Sequence, residues 1–302
     1  MKKVDSPENH LKRIVKDKIA HTEYKLYLDG YKKMRHSLTV MSIDDTIHSL
    51  IGTGNSLVRF GDGEIAMMRG VNLALQNSNK ELIHRMQSIL AYRDEHLIIA
   101  IPDIFHGLSQ YLPDSQRFWE DHLLFCRSYY DRYCTSDRVY GNASFSRCYI
   151  TLQDKSKSPD WFSEIRSIWA GKKVTVVEGA ASHNGAGNNL LSLSSDVRRI
   201  ICPSSGAYNA YDKILDECKK EPADRLFLVS LGPAAKPLAE DLYHLGRRVI
   251  DIGNLDLEYE LFLHGAQHKM PIAKYHILTK EDNIKAGYTE YLDQIVTVIS
   301  RS

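Results

Sequence analysis

Four apolar, β-branched runs in the C-terminal half, KKVTVVEG, RRIICP, DRLFLVSLGP and RRVIDIGN, limit the fold most. None alternates apolar and polar residues as a strand with one wet face would, so each reads as a strand covered on both sides. Segments of helical character lie between them, notably AYNAYDKILDECKK and KPLAEDLYHLG. Buried strands alternating with helices predict an α/β fold with a mostly parallel sheet flanked by helices. The N-terminal half adds two more strands, SLVRF and HLIIAIPD, and a long amphipathic helix, DSQRFWEDHLLFCRSYYDRYC. RVYGNASFSRCYI reads as strand, turn and strand, and residues 1–50 read as helical, with Ser42 as the N-cap of the last helix.

At 302 residues, 43% hydrophobic and 25% charged, the chain can bury a sizeable core without staples. The reading divides it into a helical extension at 1–45, an α/β domain at 46–270 and a C-terminal tail or helix at 271–302, with a soft internal boundary near 155–160. A formal charge of +1 gives no field for nucleic acid. Five cysteines without a C-x-x-C argue against a disulfide framework and for a reducing, cytoplasmic setting. There is no apolar run long enough to span a bilayer. An early basic cluster (Lys12, Arg13, Lys16, Lys18, Lys25, Lys32, Lys33, Arg35) is interleaved with Leu11, Ile14, Tyr24, Leu26, Tyr27 and Tyr31. It is compatible with a peripheral contact at the inner face of the membrane, while the acids interspersed in it favour a solvated helical extension.

In parallel sheets, ligands bind beyond the carboxyl ends of the strands. Five loops fall there. EGAASHNGAGNN carries Glu178, Gly179, Ser182, Gly185, Gly187 and Asn188. Its glycines let backbone N–H groups approach a phosphate or ribose, and a plain strand–helix turn with Asn caps fits the same spacing. PSSGAYNAY carries Ser205 and Tyr211. In GPAAKP, Lys236 near a helix N-terminus either faces solvent or accompanies an anion. GNLDLEYE carries Asn254, Asp256, Glu258 and Glu260. On a helix, Asp256 and Glu260 share a face and Glu258 does not; acids there also suit the helix dipole alone. RFGDGE carries Arg59, Gly61, Asp62 and Glu64. If extended, it sets both carboxylates on one side, where a hard cation such as Mg²⁺ or Mn²⁺ would relieve their repulsion. The plain alternative is an Arg59–Asp62 pair in a turn.

Six segments, SLVRFGDGE, LIIAIPD, VVEGAASHNGAGNNL, RRIICPSSGAYNAYDKIL, VSLGPAAKPLAEDL and VIDIGNLDLEYELFL, together resemble, in order, the bacterial glycosyltransferases of the GT-D fold, first grouped as a domain of unknown function. The resemblance covers roughly residues 45–265. It implies a Rossmann-like α/β sheet and a D-x-E metal motif at Asp62 and Glu64, with Arg59 and Gly61 beside it. It implies Mn²⁺ or Mg²⁺ and transfer of glucose or another hexose from a UDP-sugar. The acceptor would be a saccharide, free or on a glycoprotein or glycolipid, in surface polysaccharide or glycan assembly. The loop 178–189, the turn 203–211 and Asn254 would form the nucleotide-sugar pocket, and residues 251–260 would lie at the reaction centre. The family usually has His where Asn254 stands; Asn cannot act as a base, which moves that role to a carboxylate, Glu258 ahead of Glu260 and Asp256. A homo-oligomer is compatible with the sequence. The rival readings are a Rossmann-like NAD(P)-dependent oxidoreductase, whose glycine fingerprint is absent, and a nucleotide-sugar-binding protein without activity.

Overall fold

The structure is a computed structural model and describes residues 7–33, 38–272 and 288–300. The chain begins with α1 (Pro7–Lys33), β1 (Thr39–Val40) and α2 (Ile43–Gly52). It continues through β2 (Ser56–Arg59), α3 (Asp62–Met68), α4 (Lys80–Ala91), β3 (Leu97–Ile101), α5 (Pro113–Tyr133) and β4 (Val139–Asn142). The second half runs α6 (Ser158–Ser167), β5 (Lys173–Gly179), β6 (Asp196–Cys202), α7 (Tyr211–Lys220), β7 (Leu226–Ser230) and α8 (Ala235–His244). It ends with β8 (Val249–Asp251), α9 (Leu255–Leu263), α10 (Tyr288–Asp293) and β9 (Ile295–Val298).

Among the described residues nine strands form one sheet in the order β1-β4-β3-β2-β8-β7-β5-β6-β9. Every pairing is parallel, so every strand end points to one edge. The apolar runs fill its centre: β3 is buried at all five positions, as are four of the five residues of β7. The halves meet where Leu57 of β2 pairs with Ile250 of β8, and α8 packs against both strands. The soft boundary near 155–160 therefore does not divide the sheet. After β2 and β8 the chain continues to strands on opposite sides of that junction, the arrangement that opens a crevice at strand ends.

Ser42 caps α2 as expected, its hydroxyl accepting from Asp45 N at 2.9 Å. The all-helical reading of residues 1–50 misses β1, and the tail contributes β9 as an edge strand beside β6. After β4 a 3₁₀ turn, Ala143–Ser146, replaces the second strand expected there. Arg199 and Arg225, which the sequence sets at charged strand starts, are buried: Arg199 pairs with Glu178 and Arg225 with Glu221. The α1 helix lies along α5, burying Ala20 and Tyr24 and pairing His21 with Glu120 at 2.6 Å. Arg35 and the side chains of Leu11, Tyr27, Tyr31, Lys32 and Lys33 lie outside the described residues, as do 273–287 of the tail. The five cysteines are buried and free. Among the described residues no helix is long and apolar enough to cross a membrane.

Gly141 of β4 lies so close to β3 that a Cβ there would stand 2.6 Å from Ile98 Cγ2 and 3.2 Å from Ala100 Cβ. Gly141→Ala is expected to overpack this contact and remove about 1–3 kcal/mol of stability, read as a lower urea midpoint. An unchanged midpoint would show that β3 and β4 move apart freely.

Candidate active site

Where β2 stops, Gly61 takes an extended N-cap conformation and α3 starts at Asp62. The D-G-E acids therefore stand in a helical first turn rather than on an extended strand, and they separate. Glu64, three residues after the cap, folds back so that Oε2 accepts from Gly61 N at 2.8 Å. Its Oε1 meets Lys236 Nζ at 2.8 Å, and the same ammonium lies 3.1 Å from Asp251 Oδ2 and donates to Gly232 O at 3.1 Å. Lys236 is 1% exposed, so it neither faces solvent nor awaits an outside anion; its anions are the protein's own. Arg59 closes the group, with its backbone N–H 3.4 Å from Asp251 Oδ2 and Nε donating to Ala143 O at 2.8 Å.

Burial pushes both carboxyls up, and their neighbours split them. Lys236, Arg59 and the Gly61 N–H outweigh burial at Glu64 and hold it below its ordinary value. At Asp251 burial dominates, Lys236 and Arg59 offset it only in part, and the Glu64 charge adds to it, so the carboxyl is raised. Glu64 therefore gives up its proton more readily than Asp251.

Asp62 points elsewhere. It lines a cavity of about 630 Å³ together with Arg59, Tyr111, Trp119, Ser144, Arg147 and Lys269. The walls come from the loops after β2, β3 and β4, from the start of α5 and from the segment after α9. Behind Asp62, His122 shares a hydrogen bond with the Tyr130 hydroxyl at 3.0 Å. Burial, against the opposing pull of Asp62, takes the His122 pKa down to about 4, so the imidazole is neutral near pH 7 and adds no positive charge beside Asp62. A second, polar cavity of about 490 Å³ opens at the end of β6, lined by Asn77, Asn79, Ser205, Gly206 and Asn209. Gly206 sits at φ 66° and donates from its backbone to Leu75 O at 2.7 Å.

Residues 57–280 match the sequence model of the family described as glycosyltransferase GT-D fold. The chain belongs to the GT-D fold glycosyltransferase family. It is 36% identical over 290 residues to the probable glycosyl transferase Gly of Streptococcus gordonii, covering 96% of this chain and 40% of that protein. Glycosyltransferase GlyD of Streptococcus pneumoniae serotype 4 is also 36% identical, over 88% of this chain and 32% of its own length. The chain thus spans well under half the length of these curated relatives. A solved domain of unknown function 1792, described as having a distinct glycosyltransferase fold, superposes with a TM-score of 0.84 at 35% identity, covering 92% of this chain and all of that one. A solved glycosyltransferase from Streptococcus sanguinis gives 0.81 at 36% identity over 87% of this chain and all of its own.

In this member of the family most of the other expected site residues lie behind the cavity surfaces. Glu178 is fully buried; it accepts from Asn184 N and Nδ2, both at 2.7 Å, and pairs with Arg199 at 2.8 Å. The loop it anchors runs to β6 without a helix, so the helix N-terminus expected after the glycines is absent there. Gly185 needs its φ of 76°, and a Cβ would stand 2.9 Å from Leu191 Cγ. Asp256 and Glu260 share a helix face as expected, and both grip Asn188 Nδ2, at 2.8 and 2.7 Å; Asp256 also accepts from Gly185 N at 2.8 Å. Glu258, on another face, accepts from Ile150 N at 3.0 Å and lies 3.6 Å from Arg147 Nε, behind the wall of the larger cavity.

None of these three acids lines either cavity. Gly179 and Ser182 sit together at the end of β5, Gly187 is exposed, and Asn254 is exposed at the start of α9. Tyr211 turns its hydroxyl to Asp241 at 2.5 Å, outside both cavities. Of the expected residues, Arg59, Gly61 and Asp62 line the larger cavity, and the turn 203–211 lines the smaller one through Pro203, Ser205, Gly206, Asn209 and Ala210. Tyr111, Trp119, Ser144 and Arg147 went unread as site residues, although the rings and arginine of YLPDSQRFW and SFSRC were a signal.

Among the described residues no three His, Cys, Asp or Glu side chains gather as a metal cage. The arrangement suits a cation held by one carboxylate, water and substrate phosphate, the usual mode for Mg²⁺. Asp62 fits that role. Glu64 does not, because both its oxygens are engaged by Lys236 and Gly61.

Proposed function

We propose that the chain transfers glucose or another hexose from a UDP-sugar to a saccharide hydroxyl, with a divalent cation, in surface polysaccharide or glycoprotein glycan assembly. One observation carries this reading: Asp62 opens into a large cavity that also presents Arg59, Arg147 and Lys269. Asp62 and three cations, with the second acid of the lining, Asp114, tied to Arg117 at the rim, match a diphosphate accompanied by a metal. The acceptor oxygen bonds to the anomeric carbon as the bond from that carbon to the phosphate oxygen breaks; UDP departs, and the hydroxyl's proton is lost to solvent by way of the departing diphosphate. A cation bound at Asp62 would offset the charge that builds on the departing diphosphate. Arg59 and Arg147 would hold the phosphates by charge-assisted hydrogen bonds. Trp119, backed by the buried ring of Tyr111, would stack on a sugar or base and keep water from the anomeric carbon.

Donor hydrolysis and transfer assayed with UDP-, GDP- and dTDP-hexoses, with and without Mn²⁺, test the reading. UDP-hexose turnover that needs the metal is expected; binding without turnover would favour the sugar-nucleotide binder. The oxidoreductase reading gains no support, since the β5 loop lacks the helix N-terminus on which a dinucleotide fold seats its pyrophosphate. Trp119→Ala should raise KM for one substrate roughly tenfold while the melting temperature moves little, the ring being only partly buried at the cavity wall. An unchanged KM for both substrates would remove Trp119 from the site.

A further inference from the structure

A lysine in the first turn of a helix faces the positive end of the helix dipole, and an ammonium taken out of water needs every proton matched. Lys236 meets both conditions at the β2–β8 junction. Its Nζ carries three donors and has three acceptors within 3.1 Å: Glu64 Oε1, Asp251 Oδ2 and Gly232 O. The group ties α3, β8 and the turn before α8 together. Glu64 in turn has one oxygen on this ammonium and the other on the Gly61 N–H, where the helix begins. Residues two apart on a helix point about 200° apart, so an inward Glu64 sends Asp62 outward.

We propose that within Asp62-Gly63-Glu64 only Asp62 serves the substrate cavity, and that Glu64, clamped by Lys236 and Asp251, is a positioning residue that fixes the start of α3 and so aims Asp62. A cation at Glu64 would have to share the carboxylate with an ammonium already 2.8 Å from its oxygen. The D-x-E pattern here divides into one substrate-facing acid and one structural acid with an internal cation. This rests on the reading that a divalent metal accompanies the donor.

The test measures saturable binding of Mn²⁺–UDP by titration calorimetry, together with kcat and thermal unfolding, for Asp62→Asn, Glu64→Gln, Lys236→Met and the double variant Glu64→Gln/Lys236→Met. Asp62→Asn should lose saturable Mn²⁺–UDP binding and keep its melting temperature. Glu64→Gln should keep that binding within about tenfold, the low end for a group that orients a ligand, while kcat falls further than affinity. Lys236→Met should unfold at a lower temperature than the double variant, because the single change leaves two buried carboxyls without their cation. Loss of Mn²⁺–UDP binding in Glu64→Gln as complete as in Asp62→Asn, at an unchanged melting temperature, would make Glu64 a ligand and overturn the proposal. Additive thermal effects of the two lock substitutions would overturn it as well. If the unsubstituted protein binds UDP equally with and without Mn²⁺, the metal reading fails by itself, and the thermal cycle still decides whether Glu64 and Lys236 act as one unit.

Discussion

Asp62→Asn is expected to lower hexosyl transfer at saturating Mn²⁺ about a thousandfold, roughly 4 kcal/mol at about 1.4 kcal/mol per tenfold. The size follows from the setting. Asp62 is one of two carboxylates lining the larger cavity, and the other, Asp114, is tied to Arg117 at the rim. His122, which feels the Asp62 charge, is held neutral by burial and supplies no compensating charge. Asn keeps the shape and removes the charge, so the fold should stay intact while a cation loses its anchor. The comparison is made on initial rates with UDP-hexose, alongside an unfolding curve. A rate within tenfold of the unsubstituted protein, at full folding, would move the metal to other residues.

The largest effect on stability is expected at Arg199. Its guanidinium is 2% exposed and donates from Nη1 to Glu178 Oε1 at 2.8 Å and to Asn184 O at 2.7 Å, and from Nε to Gln294 at 2.8 Å. Tyr291 lies against its face, 4.4 Å from ring centroid to Cζ. Arg199→Met leaves Glu178, at zero exposure, without its cation and with neutral donors alone, those of Asn184 and Tyr291. Removing one member of such a pair costs about 3–5 kcal/mol. The double variant Glu178→Gln/Arg199→Met should recover part of that, since the unpaired charge goes too. Urea unfolding of the three proteins would show it, and a single-variant loss below about 1 kcal/mol would place the stability of this loop elsewhere.

The parallel sheet was legible because strands buried on both faces need unbroken apolar runs, and β3, β5, β6 and β7 have them. The edge strands were not, since β1 and β9 are short and largely exposed, and local pattern cannot mark them. The shared face of Asp256 and Glu260 followed from helical spacing alone. What that face meets, Asn188, depends on how a distant loop returns across the sheet. The extended backbone that would set the D-G-E acids side by side does not form; Glu64 reaches back to the Gly61 N–H as in half a capping box, and glycine, with no capping side chain, made that helix start hard to read. The cation that holds Glu64 comes from the other half of the chain, and no spacing rule connects Lys236 to it. The cavity walls from the loops after β3 and β4 were missed for the same reason.

The single seam between the sheet's halves has a consequence for synthesis on the ribosome. The hydroxyl of Ser56 in β2 accepts from the backbone of Val249 in β8, 193 residues further on. At about 5–20 residues per second, β2 waits roughly 10–40 s after leaving the ribosome before its second neighbour exists. Through that interval the nascent chain carries the strand that leads to Asp62 with one side unpaired and apolar, the kind of surface a chaperone must cover.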